Sequence, residues 1–172
     1  ADEQQVNLTR FSLFFPEKRE FFLEGQGIFA FADTGVVNWS GPPSDTPVLF
    51  FSRRIGLEDG NEVPIRAGGR VTGRAGPYSI GLLNIQTGDS ASADTLSTNF
   101  SVVRVKRDML RRSNFGVIYT RRNQLTEGVG INQVYGADLT LRFYENINFT
   151  NYYAQTHTPN LEGSNASYQS KF

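Results

Sequence analysis

Residues 64–87 read PIRAGGRVTGRAGPYSIGLLNIQT. Between Ile65 and Ala75 two kinds of residue alternate. Ile65, Ala67, Gly69, Val71, Gly73 and Ala75 hold one parity; Arg66, Gly68, Arg70, Thr72 and Arg74 hold the other. Successive side chains of a strand point to opposite faces, so the stretch predicts a strand with one small apolar face and one cationic face. Gly76-Pro77 is a tight-turn dipeptide, and a second extended run over 78–87 completes a hairpin. In a soluble sheet the apolar face covers a core and the polar face meets water. In a membrane barrel the apolar face meets lipid and the polar face lines the interior. The second run alternates less cleanly: Tyr78, Ile80 and Leu82 share a parity, but Leu83 and Ile85 lie on the other. A bulge near Leu82-Leu83 would restore the alternation and is expected there.

The hairpin's design repeats downstream. Strands are predicted over 99–107, 114–123, 131–143, 147–156 and 165–172, which makes seven with the first two. The run 131–143 is the cleanest, with Tyr135, Ala137, Leu139, Leu141 and Phe143 opposed to Gly136, Asp138, Thr140 and Arg142. Connections alternate between short (76–77, 108–113, 145–146) and long (88–98, 124–130, 157–164). Short turns at one rim and long loops at the other are the habit of outer-membrane barrels, and a soluble barrel or sandwich alternates as well. The faces favour the barrel: Arg, Asp, Asn and Thr on one, Leu, Ile, Val, Tyr and Phe on the other, with Tyr78, Phe115, Tyr135, Phe143, Tyr144, Tyr152 and Tyr153 near strand ends like an aromatic girdle. The fold class expected is therefore all-β, an antiparallel meander forming part of an outer-membrane-type barrel. Single-chain bacterial barrels usually have an even number of strands, so both ends are read as cuts in a longer protein, with the missing strands after Phe172.

Composition is compatible with this reading. Of 172 residues, 38% are hydrophobic, and 17 Gly, 14 Phe and 7 Tyr suit strands and turns better than helices. Lys plus Arg and Asp plus Glu both total 17, so net charge names no partner and gives no reason to expect nucleic acid. The absence of cysteine excludes disulfides and thiolate metal sites. No apolar run approaches the roughly 20 residues of a membrane helix, which leaves barrel strands of about 9–11 residues open. No signal peptide is visible.

Residues 1–63 form a different region, aromatic and without a sustained period, in which any helix over 17–23 should be short. It is expected to pack at or in the barrel's periplasmic mouth, ahead of the meander at 64–172. The strings NLTRFSLFFPEKREFFLE at 7–24 and LFFSRRIG at 49–56, together with 63–87, resemble a family of uncharacterised Gram-negative proteins. In that family a domain similar to family 9 carbohydrate-binding modules precedes a C-terminal outer-membrane-type β-barrel, and some members are labelled membrane-associated hydrolases. The resemblance implies the start of the barrel region, the bacterial outer membrane as location and lipid as partner. It places the carbohydrate-binding domain upstream of Ala1.

Candidate chemistry is sparse. On a short helix Glu17, Glu20 and Glu24 share a face, and a glycosidase needs two carboxyls about 5–9.5 Å apart; the alternative is that they pair with Lys18, Arg19, Arg53 or Arg54. Arg53 and Arg54 have the fork that recognises carboxylate or phosphate, or else hold Glu20 or Glu24 in a structural ion pair. Arg66, Arg70, Arg74, Arg104, Lys106 and Arg142 share even parity. Lining one lumen, they would favour an anionic solute; neutralised by Asp138 and the N-terminal acids, they would form a packed polar interior. His157 stands alone in a polar loop, no metal-ligand spacing, phosphate loop or nucleophile elbow occurs, and no cofactor is expected. Three readings follow: a structural or transport barrel, a membrane-associated carbohydrate hydrolase, and a soluble β-sandwich binding module.

Overall fold

A computed structural model describes residues 17–32, 46–58, 61–91, 94–124, 130–144, 146–159, 163 and 165–172. Residues 7–16 of the NLTRFSLFFPEKREFFLE string lie outside them. The chain is all-β. A minimal hairpin, β1 (Leu57–Glu58) and β2 (Asn61–Glu62), precedes a seven-stranded antiparallel sheet. Its strands are β3 (Ile65–Ala75), β4 (Tyr78–Thr87), β5 (Thr98–Met109), β6 (Ser113–Gln124), β7 (Asn132–Phe143), β8 (Ile147–His157) and β9 (Ala166–Lys171). They pair in chain order, so the sheet is a pure meander, and β3 and β9 are its edges; no closure between them occurs among the described residues. The helix expected over 17–23 is one turn, α1 (Glu20–Leu23).

Register runs unbroken from β4 to β8 and decides which side chains are neighbours. One row crosses the sheet as Thr72, Gly81, Arg104, Ile118, Gly136 and Ala154; the next outward-pointing row is Gly73, Ile80, Val105, Val117, Ala137 and Tyr153. The first face is covered by the described residues before β3. Phe22, Phe29, Phe31 and Ile55 form a core with Leu83, Ile85, Val102, Ile118, Tyr152 and Ala154. The other face is open.

The bulge expected at Leu82-Leu83 is absent: β4 pairs with both neighbours without a slip. Leu83 and Ile85 are on the covered face because residues 17–32 and 46–58 bring an apolar surface to meet them, so β4 is apolar on both faces. The irregularity lies in β3, where the register shifts between Ile65 and Ala67. Arg66 is the extra residue, and the shift places Ile65 with Thr87, on the covered side against Gly56.

The three short turns share a device. Gly76, Leu110 and Tyr144 each have positive φ, at +57°, +55° and +56°. Glycine supplies this conformation without penalty at the Gly76-Pro77 turn. Leu110 and Tyr144 adopt it at a cost of about 1–2 kcal/mol each.

Candidate functional site

The covered face is built around one buried ion pair. Arg104 on β5 reaches over β6 to Asp138 on β7, donating from both terminal nitrogens to the two carboxylate oxygens at 2.5 and 3.0 Å. The side chains are 0% and 2% exposed. Gly116 makes the crossing possible. It sits between Lys106 and Asp138 in register, and a Cβ there would come within 2.8 Å of the guanidinium nitrogens. From above, Phe31 lies over the same guanidinium at 5.8 Å. The Nε of Arg104 has no hydrogen-bond partner among the described residues, so Asp138 carries its compensation.

Two further glycines seat the covering segment. A Cβ on Gly81 would stand 2.9 Å from Ile28 and Phe29, and one on Gly136 would stand 2.6 Å from Leu49 and 2.8 Å from Phe31. Phe31 also packs edge-on against Tyr152, with centroids 5.6 Å apart. Glycine in a strand interior marks such a close approach; Gly81, Gly116 and Gly136 carried that signal in the sequence without an indication of what approached.

A latch fastens the segment to itself. Glu17 Oε1 accepts from the backbone N–H groups of Lys18 and Arg19 at 3.1 Å and from Arg19 Nε at 2.8 Å. Its Oε2 accepts from Arg19 at 2.7 Å and from the Ser52 hydroxyl at 2.8 Å. Arg19 donates onward to the carbonyls of Ile55 and Ser52 and stacks on Phe22. Burial alone would raise the Glu17 carboxyl, but the hydrogen bonds from Arg19 and Ser52, with the charge of Arg19, bring it down to about 2. A glycosidase acid needs a raised pKa and a free oxygen. Glu17 has neither.

The other sequence candidates divide among the faces. Glu20 is exposed at the start of α1. Glu24 is 82% exposed and pairs with Arg70 at 2.5 Å, while Arg70 also donates to the backbone carbonyls of Phe21 and Glu24. Arg53 and Arg54 lie in a 3-10 turn, Ser52–Arg54, half-buried and exposed respectively. Arg70, Arg74, Arg104, Lys106 and Arg142 share the covered-face parity. Arg66 leaves that row through the bulge and pairs with Asp89 at the long-loop end, and Arg74 pairs with Asp108 at the short-turn end. His157 is the last residue of β8, in the row of Gln133, rather than in a loop. Among the described residues no cluster of His, Cys, Asp or Glu is arranged to hold a metal.

The open face is layered. Its middle rows expose Val71, Ile80, Leu82, Val103, Phe115, Val117, Tyr135 and Tyr153, with Val71 64% and Tyr135 50% accessible. Toward the long loops it turns abruptly polar, where Asn84, Ser101, Arg121 and Gln133 form one row. Asn84 donates to Asn99 at 3.1 Å and to Ser101 at 2.8 Å. At the boundary Tyr119 and Tyr135 stack at 5.1 Å, and the Tyr135 hydroxyl donates to Gln133 at 2.6 Å. No helix among the described residues is long and apolar enough to cross a membrane, which says nothing of strands. Comparison with known families, with curated proteins and with solved structures gives no match.

Proposed function

We propose that the chain is part of an outer-membrane β-barrel with a structural or transport role, its open face toward lipid and its covered face toward the interior. One observation carries the reading: from β3 to β7 the open face presents an apolar belt, bounded toward the long loops by a polar row with tyrosines at the boundary. A soluble monomer's largest apolar patch is typically about 300–600 Å², whereas this belt crosses five strands, from Val71 on β3 to Tyr135 on β7; on β8 and β9 the same face interleaves Asn151, Gln155 and Ser170 with Tyr153 and Tyr168. Along β7 it runs from Tyr135 to Phe143, roughly 27 Å of strand. At a tilt of about 40° this projects to roughly 21 Å, near the ~25 Å apolar band of such barrels. Alternation of short and long connections supports the same reading.

Residues 17–32 and 46–58 then act as an internal filling rather than a catalytic element. The ion pairs of Arg70, Arg74 and Arg104 neutralise three members of the row that would otherwise favour anions. A link to carbohydrate rests on the upstream domain that the resemblance implies. The hydrolase reading has no support at Glu17, whose oxygens are all engaged.

The test is insertion. The full chain reconstituted in detergent or lipid is expected to migrate faster unheated than boiled on a denaturing gel. Solution behaviour as a folded monomer without detergent would overturn the reading.

A further inference from the structure

Charge is distributed unequally between the two ends of the sheet. The long-loop end mixes signs: Arg66, Arg121 and Arg122 lie among Glu58, Glu62, Asp89 and Asp94, and Arg66 and Arg122 pair there with Asp89 and Glu58. At the short-turn end the described residues include Arg74, Arg107, Arg111, Arg112 and Arg142 against a single acid, Asp108. That acid is taken by Arg74. Among the described residues Arg107, Arg111 and Arg112 have no ion-pair partner, although the β7–β8 turn sequence also contains Glu145.

These arginines adjoin the apolar belt. Arg107 points to the open face, in the row of Tyr78 and Phe115, and its guanidinium lies over the Tyr78 ring at 5.5 Å. Arg111 and Arg112 form the β5–β6 turn beside Leu110, and all are exposed. Leu110 is 75% and Tyr144 90% exposed, both at the positive φ that bulky residues avoid. Among the described residues neither side chain makes a hydrogen bond, ion pair or ring contact. A large apolar group kept outward at a strained turn position calls for a partner outside the chain.

We infer that the short-turn rim is a docking surface for anionic phospholipid: Arg107, Arg111 and Arg112 bind the headgroup phosphates while Leu110, Tyr144 and Tyr78 enter the interface below them. Guanidinium forks suit phosphate oxygens, and amphipathic aromatic side chains suit the headgroup level. The inference rests on the membrane reading above and adds the lipid class and the leaflet-facing rim. It predicts that lipid selectivity is a property of this rim alone and weakens with salt.

The experiment uses the full chain in vesicles containing spin-labelled phosphatidylglycerol or spin-labelled phosphatidylcholine, and reads the motionally restricted lipid at the protein surface. Phosphatidylglycerol should be favoured about fivefold per engaged arginine at low salt, the ratio equivalent to the ~1 kcal/mol of a basic side chain at an anionic surface. The R107Q/R111Q/R112Q variant should bring the two lipids to parity, and R121Q/R122Q at the opposite rim should leave the preference intact. R111Q/R112Q, confined to the turn, gives a partial loss should the triple variant fail to fold. Restricted lipid without headgroup preference, or a preference that survives the turn variants, overturns the inference and leaves the membrane reading standing. Absence of restricted lipid with either label overturns both.

Discussion

Replacing Asp138 with alanine tests the centre of the covered face. The substitution leaves Arg104 fully buried, with Phe31 above it and Gly116 beneath, and without its counter-charge. Two unit charges about 4 Å apart attract by about 4 kcal/mol at an effective dielectric of 20. Removing one member of a buried pair typically destabilises by about 3–5 kcal/mol, because the survivor cannot be rehydrated in place. Asp138→Ala should therefore cost about 3–5 kcal/mol. The assay is equilibrium urea unfolding in detergent micelles, followed by circular dichroism. The double variant R104M/D138L removes both charges and should recover most of the loss, since apolar replacement of a whole buried pair is often neutral. Gly116→Ala should destabilise by about 1–3 kcal/mol through crowding of the same guanidinium. A loss below about 1 kcal/mol for Asp138→Ala would refute burial of the pair. A double variant as unstable as the single one would refute the stranded charge as the cause.

Three further outcomes are expected. Val117→Arg, in the middle of the open face, should destabilise the lipid-reconstituted chain by about 2–4 kcal/mol. A merely water-exposed position would change by no more than about 0.5 kcal/mol, so the same unfolding assay discriminates. Glu17 has a folded pKa below its unfolded value of 4.5, so its stabilisation is present above pH 4.5 and lost as pH falls through about 2. That is up to about 3 kcal/mol at neutral pH, and it should vanish from the acid limb of the pH–stability curve in Glu17→Gln. Gly136→Val should unseat Phe31 and Leu49, read as faster proteolysis between residues 17 and 58 with the strand signal retained; unchanged cleavage would count against the glycine seat.

The meander was legible because alternation has a period of two and each strand repeats it. Tyr135 to Phe143 displays both faces in the letters alone. What the letters could not show is what lies against a face. Leu83 and Ile85 looked like an error of phase, to be repaired by a bulge, because their partners Phe29 and Ile55 are distant in sequence and belong to a segment with no period of its own. The true slip, at Arg66, was hidden because Ile65 and Ala67 are both apolar and either parity reads plausibly there. Glu17, Glu20 and Glu24 shared a face only on a helix long enough to hold all three, and α1 has just four residues. Parity did place Arg104 and Asp138 on one face. Their union needed the register to put Gly116 between them, a fact about three strands at once.

The seating of Phe31 on Tyr152 also has a kinetic side. Every strand pair in the sheet joins neighbours along the chain, so the meander can form by successive local hairpins, while this contact closes a loop of roughly 120 residues. Docking of the segment is then the late event, following the sheet rather than nucleating it. Weakening it through Phe31→Ala should leave the refolding rate nearly unchanged and speed unfolding, the signature of an interaction absent from the transition state. A refolding rate that fell in step with stability would mean that the segment templates the sheet instead.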